Sequence, residues 1–185
     1  MRLRLLLAAV CTVAALAGLS SIVLAKRSDP SVVSVKLTSA TGAFAGIVTF
    51  RSPSPQGAVD IRANVRGLAP GFHGFHIHAV GACEAPSFMS AKGHLKDDGQ
   101  NHPAHAGDLS SLLVKANGTA TLRVTTGGFT LADLRDADGS AVMVHAGPDN
   151  FATVPPRYAP SGPDQETLDT GDSGARVVCG AIAPG

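Results

Sequence analysis

Val59-Asp60-Ile61-Arg62-Ala63-Asn64-Val65 alternates apolar and polar residues without a break. A β-strand turns successive side chains to opposite faces, so Val59, Ile61, Ala63 and Val65 share one face and Asp60, Arg62 and Asn64 the other. Val33, Val35 and Leu37 repeat the pattern upstream, and Phe44 to Phe50 offers another strand between the two. Downstream, further strands are expected at Phe72 to His78, Leu109 to Ala116, Thr119 to Thr125, Ala141 to His145 and Ala175 to Ile182. Glycine and proline separate these short runs, and none keeps a helical period. Asn117-Gly118 joins two of them and predicts a hairpin with a type I′ turn, whose two central residues need positive φ. About eight strands and no convincing helix make the chain all-β, a sandwich or Greek-key barrel. Gly81 to Asp108 and Gly147 to Gly174 interrupt the rhythm as long irregular loops, which in a compact domain usually carry function.

The 185 residues suit one domain with an N-terminal extra, and 44% hydrophobic against 16% charged residues excludes a disordered chain. Arg2 and Arg4 precede an uncharged run from Leu5 to Ala25, closed by Lys26 and Arg27. This reads as an export signal cleaved after Ala25 or as a membrane anchor through residues 5–25. A linker follows at 26–30, and the domain is expected over 31–185. Either way the domain works outside the cytoplasm, where disulfides persist. Cys83 and Cys179 are the two cysteines outside the export segment, an even pair expected to be bridged. Without Arg2 and Arg4 the 15 basic residues fall to 13 against 14 acidic ones, a balance that argues against a nucleic-acid partner.

All seven histidines, His73, His76, His78, His94, His102, His105 and His145, lie between residues 73 and 145. One histidine is most often a core or surface residue; seven in one stretch ask for a shared reason. His76 and His78 stand one residue apart in an apparent strand, so both imidazoles face the same side and can converge on one ion. His73 is offset by three and reads as a structural hydrogen-bonding residue. His94, His102, His105 and Asp108 supply three imidazoles and a carboxylate, a donor set that closes a four-coordinate zinc site. His145 ends the apolar run from Ala141 to Val144, and several neutral imidazoles suit copper as well as zinc.

Gly71-Phe72-His73-Gly74-Phe75-His76-Ile77-His78, Cys83, Gly93-His94, Gly107-Asp108-Leu109, Val144-His145-Ala146 and Gly174-Ala175-Arg176-Val177-Val178-Cys179-Gly180 resemble, in order, the signature blocks of copper/zinc superoxide dismutases. The resemblance covers residues 31 to 185. It implies a flattened eight-stranded Greek-key barrel with long metal-binding and substrate-guiding loops, which dismutes superoxide by copper redox cycling with zinc structural. It implies that His76, His78, His94 and His145 bind copper and that His94, His102, His105 and Asp108 bind zinc, His94 bridging the two ions. Asp149 would hydrogen-bond one histidine of each ion, Cys83 would pair with Cys179, and Arg176 would sit above copper. Many members are dimers, which admits a homodimer here. His94 and Arg176 would be the catalytic side chains, the first exchanging a proton and the second holding the anionic substrate.

The chain also departs from that pattern. Only Pro103 and Ala104 separate His102 from His105, so the zinc loop is short and zinc is the less secure of the two metals. Asp169 stands where many members carry a lysine, beside Thr170 at the channel mouth, which leaves substrate guidance mostly to Arg176. A non-catalytic envelope protein that buffers copper or zinc on the same fold is the alternative. A zinc hydrolase is remote, because four protein ligands leave zinc no open position. Asn117-Gly118-Thr119 matches a glycosylation acceptor, but the expected hairpin accounts for it equally well.

Overall fold

The computed structural model of the chain describes residues 31–54, 57–95 and 99–185; the export segment and linker expected over 1–30 lie outside the described residues. Nine strand segments are described: β1 (Val32–Ser39), β2 (Phe44–Arg51), β3 (Val59–Arg66), β4 (Gly71–His73), β5 (Phe75–His78), β6 (Leu112–Val114), β7 (Thr119–Thr126), β8 (Ser140–His145) and β9 (Arg176–Ile182). The alternation at 59–65 is realised directly: Val59, Ile61, Ala63 and Val65 are buried and the intervening residues are not. In β2 the alternation slips, because Ala45 and Val48 are both buried while Ile47 is 46% exposed. The slip sits at Gly46 (φ 145°), opposite Leu37, where the β1–β2 register shifts by one residue. A Cβ at Gly46 would collide with the Asn64 carbonyl, so this bulge requires glycine.

Seven strands form one antiparallel sheet in the order β5-β8-β9-β1-β2-β3-β7, and β4 pairs with β6. The run expected as one strand from Phe72 to His78 changes partner at Gly74, whose N–H goes to the Gly147 carbonyl while its own carbonyl receives His145 N–H. The strand expected over Leu109 to Ala116 contracts to β6, since Lys115 already belongs to the turn. At one edge of the sheet β4 runs into β5, and at the other β6 turns into β7. The β4–β6 pair therefore spans both edges, and the sheet curls into a half-barrel around a core that includes Phe50, Ile61, Phe75, Ile77, Leu112 and Leu134. With β4 and β5 counted as one interrupted strand, the expected all-β architecture holds.

Two local expectations are corrected. The hairpin at Asn117-Gly118 exists, but only Gly118 has positive φ (77°), so the turn is not type I′. Gly118 N–H bonds the Lys115 carbonyl and Lys115 N–H bonds the Thr119 carbonyl, a three-residue loop ending in a left-handed glycine. Asn117 Oδ1 accepts from the Thr119 N–H and hydroxyl, which holds Asn117 out of the left-handed region. A helix is also present, α1 (Gln165–Thr170), with 3-10 turns at Met89–Ala91 and Asp133–Arg135. The Asp164 carboxylate caps α1 by accepting from Thr167 N–H at 2.9 Å, and left-handed Gly171 ends it. Six residues are too few to show an apolar period.

A smaller core of Phe88, Ala91, Ala141, Met143 and Cys179 lies apart from the first. It seats the loop after β5 on β8 and β9. Cys83 and Cys179 are bridged, with 5.8 Å between their Cα atoms, so the same loop is also fastened covalently to β9. Both fastenings lie beside the histidines.

Candidate metal centre

Strand geometry delivers two of the ligands and backbone pairing delivers the rest. His76 and His78 on β5 are fully buried. The loop from Gly93 to Asp108 docks along β5: Ala79 N–H bonds the Gly93 carbonyl, Leu95 N–H the Ile77 carbonyl and Ile77 N–H the Gly107 carbonyl. Isolated bridges thus set His78 against His94 and His76 against Asp108. β8 pairs with β5, which carries His145 to the same place.

The result is two clusters that share His76 and His94. Ligand atoms of His76, His78, His94 and His145 lie within 4.8 Å of one another, as do those of His76, His94, His102 and Asp108. His105 falls outside the second group by that measure, yet its Nδ1 is 3.2 Å from Asp108 Oδ2. His94 Nδ1 and His102 Nδ1 stand 2.8 Å and 2.9 Å from the same carboxylate. Three imidazoles therefore surround Asp108 despite the short segment between His102 and His105. His73 stays apart, its Nδ1 2.7 Å from the His145 carbonyl and its Nε2 2.8 Å from the Ala69 carbonyl.

The hydrogen bonds on the far side of each ring fix which nitrogen is left over. His78 Nδ1 faces the Lys92 carbonyl and His145 Nδ1 the Gly174 carbonyl, at 2.8 Å and 2.9 Å. Carbonyls only accept, so both Nδ1 atoms carry hydrogen. Burial lowers the His145 pKa to about 3 and holds His78 well below its ordinary value, which keeps both rings neutral. Their Nε2 atoms are then two bare lone pairs facing each other at 3.4 Å. On the other side, Asp149 Oδ2 binds His76 Nε2 at 2.7 Å and Asp149 Oδ1 binds His102 Nε2 at 2.8 Å. That leaves Nδ1 of His76 and His105 buried without a hydrogen bond, while His102 Nδ1 faces the Asp108 carboxylate. A buried lone pair with no donor is costly, and several converging ones are stabilised together by a cation. The donor set fits copper at the all-imidazole cluster and zinc at the cluster with the carboxylate.

Charge follows the same division. Burial alone would raise the carboxyls of Asp149 and Asp108, but the facing histidines outweigh it and hold both well below the usual carboxylate range. His102 is the counterpart: burial opposes its protonation, yet the carboxylates of Asp108 and Asp149 carry its pKa up to about 9. In the metal-free protein His102 is thus a cation between two carboxylates, the charge arrangement a bound divalent ion would take over.

A cleft of about 490 Å³ opens onto His78, His94, His105 and His145, with Glu166, Asp169, Thr170, Asp172 and Arg176 around it. A cavity of similar size, about 510 Å³, lies against Ser52, Leu131 and Arg135 and touches no histidine, so volume alone does not locate the site. Arg176 donates from Nη1 to the Phe88 carbonyl at 2.9 Å and from Nη2 to the Lys92 carbonyl at 2.6 Å. Sequence reasoning found Arg176 but not these two acceptors, because Phe88 and Lys92 take part through their backbones at positive φ. Gly171 was missed as well. A Cβ there would collide with Asp149 Oδ1 and His102 Nε2, and only the position of Gly171 after a short capped helix could have signalled it.

Comparison with known proteins agrees with this geometry. The family profile described as copper/zinc superoxide dismutase (SODC) matches residues 44–182. A copper–zinc superoxide dismutase of Mycobacterium tuberculosis is 42% identical over 165 residues, covering 80% of this chain and 69% of that protein. One from Mycolicibacterium paratuberculosis is 39% identical over 177 residues, covering 87% and 78%. Among solved structures, a SOD-like protein from Bacillus subtilis superposes with a TM-score of 0.64 at 31% identity, covering 80% of this chain and 97% of that one. Cu/Zn superoxide dismutase from Brucella abortus gives 0.62 at 27%, covering 82% and 99%.

Proposed function

The chain belongs to the copper/zinc superoxide dismutase family, and on that premise we propose that His76, His78, His94 and His145 hold copper while His94, His102, His105 and Asp108 hold zinc. The observation that carries this assignment is the pair of buried ring nitrogens left without donors, His76 Nδ1 on one side and His105 Nδ1 on the other, with His94 between them. The reaction turns two superoxide anions and two protons into one dioxygen and one hydrogen peroxide. Bound copper supplies the electron chemistry by alternating between its cupric and cuprous states, and zinc, which has no redox chemistry, supplies fixed charge and placement.

The chain's own residues do the rest. Arg176 keeps a permanent cation at the cleft, since guanidinium stays protonated even where burial lowers its pKa. Its two carbonyl acceptors fix the fork, so the charge meets an incoming anion in one orientation. His94 presents Nδ1 to the zinc cluster, where it lies 2.8 Å from Asp108 Oδ1, which leaves Nε2 as the atom that takes up and returns one of the two protons. Asp149 fixes the tautomers of His76 and His102 from behind and so couples the geometry of the two clusters.

The metal-buffering alternative is not favoured. A buffer has no use for a guanidinium fixed over the cleft by two backbone carbonyls. The Cys83–Cys179 bridge suits an oxidising compartment, so the protein works outside the cytoplasm, delivered by residues 1–25. The test is superoxide dismutation by the purified protein with copper and zinc counted on the same sample. Rapid copper-dependent turnover that falls in Arg176→Ala and disappears in His145→Ala supports the assignment. Full copper loading without turnover would return the protein to metal buffering.

A further inference from the structure

β1, β2, β3 and β7 turn one side to the core and the other to solvent, and the solvent side is charged almost entirely in one sign. Lys36, Arg51, Arg62, Arg66 and Arg123 are exposed on it, and Asp60 is the one carboxylate these strands carry. The whole chain has a formal net charge of only +1, so the basic residues here are segregated. Register sharpens the imbalance. Arg62 stands directly opposite Arg123, and Asp60, opposite Arg51, accepts from the Thr125 hydroxyl at 2.6 Å. Like charges directly opposite each other destabilise a sheet. Among the described residues none of the five cations forms an ion pair, and a shallow depression of about 320 Å³ opens between Arg62, Asn64, Thr121 and Arg123.

The face is not purely ionic. Phe44 is 39% exposed and Ile47 46% exposed, and both lie on it, Ile47 between Lys36 and Asn64 by register. The Arg66 guanidinium stands 4.6 Å and the Lys36 ammonium 5.9 Å from the Phe44 ring centre, so cations flank the exposed ring. A soluble anionic polymer would answer the charge and leave these apolar groups in water. An anionic lipid surface answers both, because its headgroups take the cations and the acyl boundary takes the apolar side chains. The order of the chain points the same way. The uncharged run of residues 5–25 is followed by Lys26 and Arg27, and β1 begins at Val32, which pairs with Arg51 on this face. The stretch from Ala25 to Val32 extends to at most about 25 Å.

We propose that the outer face of β1, β2, β3 and β7 docks on a membrane surface rich in anionic lipid, its five cations on the headgroups and Phe44 and Ile47 at the acyl boundary. The chain has no tryptophan, so Ile47→Trp places a single fluorescent reporter on the face and Tyr158→Trp places one at an exposed position outside it. The full-length protein is mixed with vesicles of phosphatidylglycerol or of phosphatidylcholine. On phosphatidylglycerol the Ile47→Trp reporter should shift to the blue and be quenched by brominated acyl chains. On phosphatidylcholine it should not, and Tyr158→Trp should respond to neither. The docked-to-undocked ratio, read from the reporter as salt is raised, should fall about 25-fold when Arg62→Gln and Arg123→Gln are combined, roughly fivefold for each cation removed. Arg157→Gln, which removes an exposed cation elsewhere, should change it less than about twofold. The double variant should unfold no lower than wild type, because the like-charge pair is gone. A reporter unshifted on phosphatidylglycerol, or shifted equally on phosphatidylcholine, would overturn the proposal, as would a double variant that docks as well as wild type. A double variant that unfolds lower would also overturn it, by showing that Arg62 and Arg123 support the sheet itself. Polygalacturonate that shifts the reporter where phosphatidylglycerol does not would reassign the face to an anionic glycan and end the lipid assignment.

Discussion

The Asp149 carboxylate and the Cα of Gly171 are packed so closely that no side chain fits between them. Gly171 closes α1 in the left-handed conformation (φ 61°), and its carbonyl receives Asn150 N–H at 2.9 Å. Leu168, one turn earlier, gives its carbonyl to His102 N–H at 2.7 Å. The end of α1 is thus a backbone clamp over the carboxylate that joins the two clusters. Gly171→Ala adds a Cβ against Asp149 Oδ1 and His102 Nε2 and strains the cap, at a cost of about 2–4 kcal/mol. Thermal unfolding should show it, and zinc content should fall more than copper content because His102 is displaced directly. An unchanged zinc count would mean the loop yields without cost.

Asp149→Asn separates charge from shape. The amide is the same size, but it replaces one carboxylate oxygen with a donor, so His76 and His102 can no longer both direct Nε2–H at it. One ring must flip or lose its partner, and the nitrogen facing the metal is no longer fixed. Losing such a support typically costs 10- to 100-fold in metal affinity. Chelator competition read separately for copper and zinc checks this, and retention of both metals at wild-type affinity would show that Asp149 does not set the ligand tautomers.

The metal-free protein should be most stable near neutral pH. Burial draws the His76 pKa to about 4 and that of His145 to about 3, against about 6.5 in an unfolded chain. Below pH 6.5 the unfolded state therefore binds more protons, and stability falls with acid by about 1.4 kcal/mol per pH unit for each group. Asp108 and Asp149, held low by their histidines, extend the loss further down. His102 has the opposite sign: its raised pKa of about 9 gives stability that is full below pH 6.5 and lost as pH rises through 9. Urea unfolding across pH should trace a maximum with both flanks. Adding zinc should remove the alkaline flank, since the ion displaces the His102 proton.

Much of this is legible in the sequence alone, and the reason differs between parts. β3 could be read because each of its residues obeys one period, and His76 and His78 because that period puts both on one side. The convergence of His94, His102, His105 and Asp108 could be expected from donor chemistry and family resemblance, yet its cause was hidden. It depends on main-chain bonds from Leu95, Ile77 and Gly107, which side-chain identity does not report. The slip at Gly46, the turn at Gly118 and the cap at Gly171 share a cause. Each is a positive-φ glycine whose use depends on a distant neighbour. Phe88 and Lys92 were the least legible, because non-glycine residues at positive φ leave no sign in composition.

The disulfide ties catalysis to stability through one loop. Cys83 and Cys179 are 96 residues apart, so the bridge removes roughly 4 to 5 kcal/mol of unfolded-chain entropy in the loop-closure picture. It also anchors the segment that carries the Phe88 and Lys92 carbonyls to the strand that carries Arg176, three residues before Cys179. Cys179→Ser should therefore do two things at once. Stability should drop by several kcal/mol, and kcat/KM should fall further than the remaining folded fraction explains, because the guanidinium loses its two fixed acceptors. Pairing Cys83→Ser with Cys179→Ser avoids a stray thiol, and assaying well below the lowered Tm keeps the chain folded. If activity per folded molecule then equals wild type, the small core around Phe88 and Met143 holds the loop by itself and the bridge serves stability alone.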